Sequence, residues 1–167
     1  VMLRRRLLFF WKLSQNLGLA RRVHPLIPGT VRRRRVFENA EAMFDNYRSK
    51  PIFNRIDDRG LRAYIEALAC TRPDGQLGLA YSPEWEIKIY ETGPINLWRQ
   101  LRQLQPPLLI VRGGDTDTFW PGAARKVQRH LPRAVIHTVA GATHLVPMEK
   151  PEEVGEVIES FLEKVAA

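Results

Sequence analysis

Residues 108–119, "LLIVRGGDTDTF", and residues 134–144, "AVIHTVAGATH", share one layout: an apolar, β-branched run, then glycine, then a polar loop. Between them stands "PGAARKVQRHL" (121–131), and after them "PEEVGEVIESFL" (151–162), both with apolar residues at helical spacing. The order is strand, helix, strand, helix. Two strands joined through a helix run in the same direction, so the pattern predicts an α/β fold with a parallel sheet. In such sheets the loops leaving the carboxyl ends of the strands collect ligands and reactive groups. Those loops hold Asp115 and Asp117 after the first strand and His144 after the second.

Upstream the pattern changes. From Glu38 to Leu104 the chain reads as helical pieces separated by Pro and Gly: "ENAEAMFDNYRSK" (38–50), "DDRGLRAYIEALACTRPDG" (57–75), "SPEWEIKIYET" (82–92) and "GPINLWRQLRQL" (93–104). No strand is expected there. The division predicts a helical region over 1–104 and a βαβα region over 105–167. The apolar and aromatic residues of the first part, Phe37, Met43, Phe44, Tyr47, Phe53, Tyr81, Trp85 and Tyr90, either form its core or line an apolar pocket.

The net charge of +8 belongs to one end of the chain, because residues 1–37 hold ten Lys and Arg and no acid, which leaves the remainder slightly acidic. The apolar run Leu7 to Trp11 is too short for a membrane span, and no small-residue cleavage site follows it. Leu3, Leu7, Phe10 and Leu17 recur at roughly helical spacing. They predict an amphipathic helix ending near Gly18, with its apolar face packed on the protein itself. An acid-free, Arg-rich start also has the composition of an organelle transit peptide. The run Arg32–Arg35 is the type of cluster that neutralises phosphates, but no zinc-finger spacing, RNP pattern or KH loop accompanies it; a solvated or salt-bridged face is expected instead of a nucleic-acid site. The single cysteine, Cys70, permits no internal disulfide and no cysteine-based zinc cage. It fits a cytoplasmic, reducing compartment and reads as a small buried residue.

A strand running into Gly and a nearby Asp, then a strand ending in "GATH" and a closing helix, resembles the C-terminal part of the α/β-hydrolase fold. The resemblance implies a helical cap over residues 1–104 followed by the last βαβα units of the core. In that family the catalytic groups follow the order nucleophile, acid, histidine, so it also implies Asp117 as the acid and His144 as the general base. Asp115 competes for the acid's place. Spacing of Gly-x-x-Asp from Gly114 reaches Asp117, whereas from Gly113 it reaches Thr116.

The family's nucleophile elbow, Gly-x-Ser-x-Gly, does not occur: Ser14, Ser49, Ser82 and Ser160 all lie in other contexts, and so does Cys70. The expectation is therefore a truncated, inactive part of an esterase-like hydrolase, acting when complete on an ester or similar acyl bond of a small apolar molecule. Its partner would be the missing N-terminal half of the fold. No cofactor or metal is implied, and a chain without that half is expected to self-associate. The competing reading is a non-enzymatic remnant, or a basic module for an acidic partner.

Overall fold

The computed structural model describes residues 5–93 and 97–166, with side chains from residue 9 onward in the first segment. Leu3, the side chain of Leu7 and residues 94–96 of "GPINLWRQLRQL" lie outside the described residues. The chain forms two compact units, which divide between residues 93 and 97.

The N-terminal unit contains α1 (Arg5–Asn16), α2 (Ala20–Val23), α3 (Ile27–Val31), β1 (Val36–Phe37), α4 (Ala40–Arg48), α5 (Asp58–Leu68), β2 (Ala69–Thr71), β3 (Leu77–Leu79) and α6 (Pro83–Thr92). The C-terminal unit contains α7 (Leu97–Gln103), β4 (Leu109–Gly113), α8 (Pro121–His130), β5 (Val135–Val139), α9 (Val146–Glu149) and α10 (Pro151–Ala166).

Local chemistry sets these boundaries. Helix α1 stops at Gly18, whose φ of 67° lets the Gly18 and Leu19 N–H groups turn back to the carbonyls of Gln15 and Ser14. Asn39 caps α4 by accepting from Ala42 N, Asp57 caps α5 by accepting from Gly60 N, and Ser82 caps α6 by accepting from Trp85 N.

The strand-free expectation for residues 38–104 is corrected. Strands β1, β3 and β2 form a small antiparallel sheet with β3 in the middle. β2 and β3 make a hairpin over "RPDGQ", where Gly75 has a φ of 81° and Arg72 N–H donates to Gln76 O at 2.9 Å. Strands of two or three residues are too short to show an alternating pattern. Cys70 lies on β2 at the sheet's edge and is exposed, contrary to the buried reading.

Phe37, Met43, Phe44, Tyr47 and Phe53 are buried together with Leu61 and Ile65, and Tyr47 meets Phe53 and Tyr64 edge-on. These aromatics are core. Tyr81 and Trp85 are exposed. The arginine run is largely engaged: Arg33 and Arg35 pair with Glu86 and Glu84, and Arg34 donates to Val36 O and covers the Phe37 ring.

The Arg33–Glu86 contact gives this unit a pH dependence. Burial alone would push the Glu86 carboxyl up, but hydrogen bonds from Arg33, Tyr90 and Thr30 and the Arg33 charge outweigh it and hold the group below its ordinary 4.5. A depressed carboxyl binds fewer protons folded than unfolded, so its stabilisation is present above the unfolded value and is lost as pH falls through the folded one. His24, stacked on Tyr90, is lowered from 6.5 by burial and acts in the same direction at higher pH. Thermal melts should therefore fall in two stages on acidification, first below about pH 6.5 and again below about pH 4.5. Glu86→Gln should shrink the lower stage, to which the exposed carboxyls of Glu41, Asp74 and Glu84, also held low by arginine contacts and main-chain hydrogen bonds, contribute less, and His24→Phe should remove the upper one. An unchanged acid limb in Glu86→Gln would refute the assignment.

In the C-terminal unit β4 and β5 pair in parallel, with Leu109 opposite Val135 and Gly113 opposite Val139. Alternation sends Ile110 and Ile136 to one face, against Val127 of α8, Leu131 just after it, and Trp98 and Leu101 of α7. It sends Val111 and Val139 to the other, against Val146 and Val154 of α9 and α10. Both faces are covered, as the two apolar runs predict for a parallel sheet.

Candidate active site

Both polar loops of the C-terminal unit leave the same edge of the parallel pair, because the strands run in the same direction and end in register at Gly113 and Val139. Main-chain bonds then clip the loops to each other. Gly114 N–H donates to Val139 O at 2.7 Å, and Asp115 N–H donates to Ala142 O at 2.9 Å.

Gly113 is required for that closeness. A β-carbon there would lie 2.6 Å from the carbonyl carbon of Ala142 and would overlap the carbonyl oxygens of Ala142 and Thr143. The second loop crosses directly over the glycine.

The acid loop is also held from inside. Arg112 is only 6% exposed, and it donates from Nε to Phe119 O at 3.0 Å and from Nη1 to Thr138 Oγ1 at 3.2 Å. This ties the far end of the loop to both strands. Within the loop, Thr118 N–H donates to Thr116 Oγ1 at 3.3 Å, making the small turn that carries Asp117.

The histidine loop has its own clamp. Gly141 turns with a φ of 67°, and the Glu149 carboxylate accepts from Thr143 N–H at 2.6 Å and from the Thr143 hydroxyl. Leu145 N–H donates to Thr143 Oγ1 at 3.2 Å. His144 projects from between two fixed residues.

The result is a carboxylate–imidazole contact: Asp117 Oδ1 lies 3.1 Å from His144 Nδ1. A carboxylate only accepts, so the contact places the ring proton on Nδ1 and leaves Nε2 as the basic nitrogen. Nε2 has no hydrogen-bond partner among the described residues. The Asp117 side chain is 79% exposed and that of His144 32% exposed, so water screens the pair and its role is orientation more than stability. Asp115, the competing acid, joins the two loops through its main chain.

Arg112 and Glu149 were not singled out in the sequence. Arg112 is a lone cation inside an apolar run, and that was its signal. Glu149 sits in "PMEKPEEV" among other acids and carries none.

The four serines have local duties. Ser14 donates to Trp11 O, Ser49 to Asn46 O, Ser82 caps α6, and Ser160 stands exposed on α10. Of the four, Ser82 lies in a strand-to-helix turn, between β3 and α6, but its sequence there is Ala-Tyr-Ser-Pro-Glu, without the glycines of a nucleophile elbow. Among the described residues no three His, Cys, Asp or Glu side chains come together as a metal site, and no helix is long and apolar enough to cross a membrane.

No family model matches the chain. Among solved structures it is similar to E-2-(acetamidomethylene)succinate hydrolase, with a TM-score of 0.69 and 21% identity over 88% of this chain and 53% of that one. It is also similar to an esterase of Mycobacterium tuberculosis (TM-score 0.63, 21% identity, 94% of this chain and 50% of that one). A third is the peroxisomal α/β-hydrolase of Saccharomyces cerevisiae (TM-score 0.65, 17% identity, 90% and 39%). The chain spans about half the length of the first solved structures it matches. At these identities the likeness is one of fold: the chain has a mixed α/β architecture matching part of the α/β-hydrolase fold.

Proposed function

We propose that this chain is the cap and the C-terminal part of an α/β-hydrolase, with residues 1–104 as the cap and 105–167 as the end of the core; its last cap helix, α7, packs on the sheet unit. Asp117 orients His144, and His144 Nε2 is the general base that takes a proton from a nucleophile and later returns it to the leaving group. The observation that carries this reading is the 3.1 Å contact between Asp117 and His144 at the carboxyl ends of two parallel strands.

The reaction class that fits is hydrolysis of an ester or similar acyl bond in a small apolar molecule. Two of the similar proteins are by name a hydrolase and an esterase. The nucleophile is not among the serines of this chain, and the reading assigns it to polypeptide outside these residues. A base and its orienting acid cannot form an acyl-enzyme without a nucleophile.

Two assays test this. The purified chain should show no saturable hydrolysis of p-nitrophenyl esters. An apolar haloketone should alkylate His144 ahead of His24, His130 and His137, read by peptide mass spectrometry, and Asp117→Ala should slow that alkylation while Asp115→Ala leaves it unchanged. Saturable turnover lost in His144→Ala would place the nucleophile inside the chain and overturn that part of the reading. Equal alkylation of all four histidines would overturn the general-base assignment.

A further inference from the structure

Helix α1 has two faces of different character. One packs within its own unit: Ser14 is buried, Trp11 meets the His24 ring edge-on at 5.2 Å, and Gln15 Nε2 donates to Glu91 O at 2.8 Å. On a helix of 3.6 residues per turn, Phe9, Phe10, Leu13 and Leu17 fall within one arc of roughly 100° on the other side. They are exposed by 67%, 64%, 43% and 61%. The expectation that the apolar face of this helix packs on the protein is therefore corrected for Phe10 and Leu17. Leu19, Val23, Leu26 and Val31 continue the exposed apolar series through α2 and α3.

The same segment carries charge of one sign only, on Lys12, Arg21 and Arg22, with Arg32 next in the chain. Lys12 flanks Phe9 on the helix, and exposed Arg21 and Arg22 lie between Leu19 and Val23. This charge argues for one kind of occupant. A second copy would bring the same positive segment against itself, which opposes association. RNA would satisfy the cations and stack on the two phenylalanines, but it offers no apolar partner to Leu13, Leu17 and the aliphatic residues that continue the stripe. An anionic bilayer surface offers phosphate headgroups to Lys and Arg and an acyl boundary to Phe and Leu.

We infer that residues 9–31 form a docking surface for anionic membranes, with α1 lying in the interface through Phe9, Phe10, Leu13 and Leu17 and held there by the surrounding basic residues. The helix lies on the bilayer and does not cross it, in keeping with its 12 residues. The surface belongs to a different unit from Asp117 and His144, so its test does not depend on the proposed chemistry.

The experiment is flotation of the full chain with vesicles of phosphatidylcholine alone and of phosphatidylcholine mixed with phosphatidylglycerol. Binding is expected only to the mixed vesicles, and should collapse when salt is raised from about 0.1 to about 1 M, as the screening length drops from about 10 to about 3 Å. Arg21→Glu with Arg22→Glu should lower partitioning about tenfold or more. Phe9→Ser with Phe10→Ser should also lose binding, with circular dichroism unchanged because both side chains already face solvent. Binding that survives the phenylalanine changes and matches binding to single-stranded RNA would overturn the inference in favour of a polyanion site. Absence of vesicle binding, with self-association abolished by the same phenylalanine changes, would overturn it in favour of a protein-covered face.

Discussion

Replacing Gly113 with alanine is expected to remove the cooperative unfolding of the C-terminal unit, at a cost of about 3 kcal/mol or more. The new methyl group has no space, because the Ala142 and Thr143 carbonyls of the histidine loop lie over the glycine. Backbone cannot rotate away as a flexible side chain can, so the loop would have to lift. Lifting it would break the Asp115 N–H bond to Ala142 O and separate His144 from Asp117. Gly114 is the internal control: a β-carbon there would approach Val139 O at 3.3 Å and Ala140 Cα at 3.5 Å, a tight but adjustable fit. Gly114→Ala should cost no more than about 1 kcal/mol. Urea unfolding followed by the tryptophans decides the comparison. Equal stabilities for the two variants would show that the loop does not cross over Gly113.

Glu149→Ala is the second change with a large expected effect, about 2–3 kcal/mol. One carboxylate satisfies both the N–H and the hydroxyl of Thr143, and removing it strands two half-buried donors at the base of the histidine loop. Glu149→Gln should be intermediate, because the amide keeps one accepting oxygen and turns the other position into a donor. The effect should also reach His144. If Glu149 positions that loop, both variants weaken the Asp117–His144 contact; loss of stability with the contact intact would assign Glu149 a packing role alone.

The parts of this chain that could be read in advance are those whose physics is local. The runs "LLIVRG" and "RAVIHTVAG" are apolar because the sheet is covered on both faces, and α8 buries Ala124 and Val127 at helical spacing, whereas α10 buries Val154 and leaves Ile158, Leu162 and Val165 exposed. Their order alone implies parallel pairing, and hence two loops at one edge. Asp117 and His144 were reachable on that basis together with the family resemblance. What escaped depends on contacts between segments. The hairpin over residues 69–79 has strands too short for a period, and the Pro and Gly of its "RPDGQ" turn look the same as a break between helices. The buried fate of Phe37 and Tyr47 and the exposed fate of Phe10 and Leu17 are decided by which neighbours pack on them, and composition does not contain that. Glu149 acts across a loop whose path is set by Gly141 and by the space above Gly113.

On the proposed chemistry, Asp117 holds the His144 proton on Nδ1 and leaves Nε2 as the base. The most direct measurement is long-range proton–nitrogen correlation NMR of the ring nitrogens at a pH where the imidazole is neutral. His144 should be the Nδ1–H tautomer, opposite to the preference of a free histidine side chain. It should revert to Nε2–H in Asp117→Ala and stay Nδ1–H in Asp115→Ala. An Nε2–H tautomer for His144 in the unaltered chain would mean that Asp117 does not orient the ring.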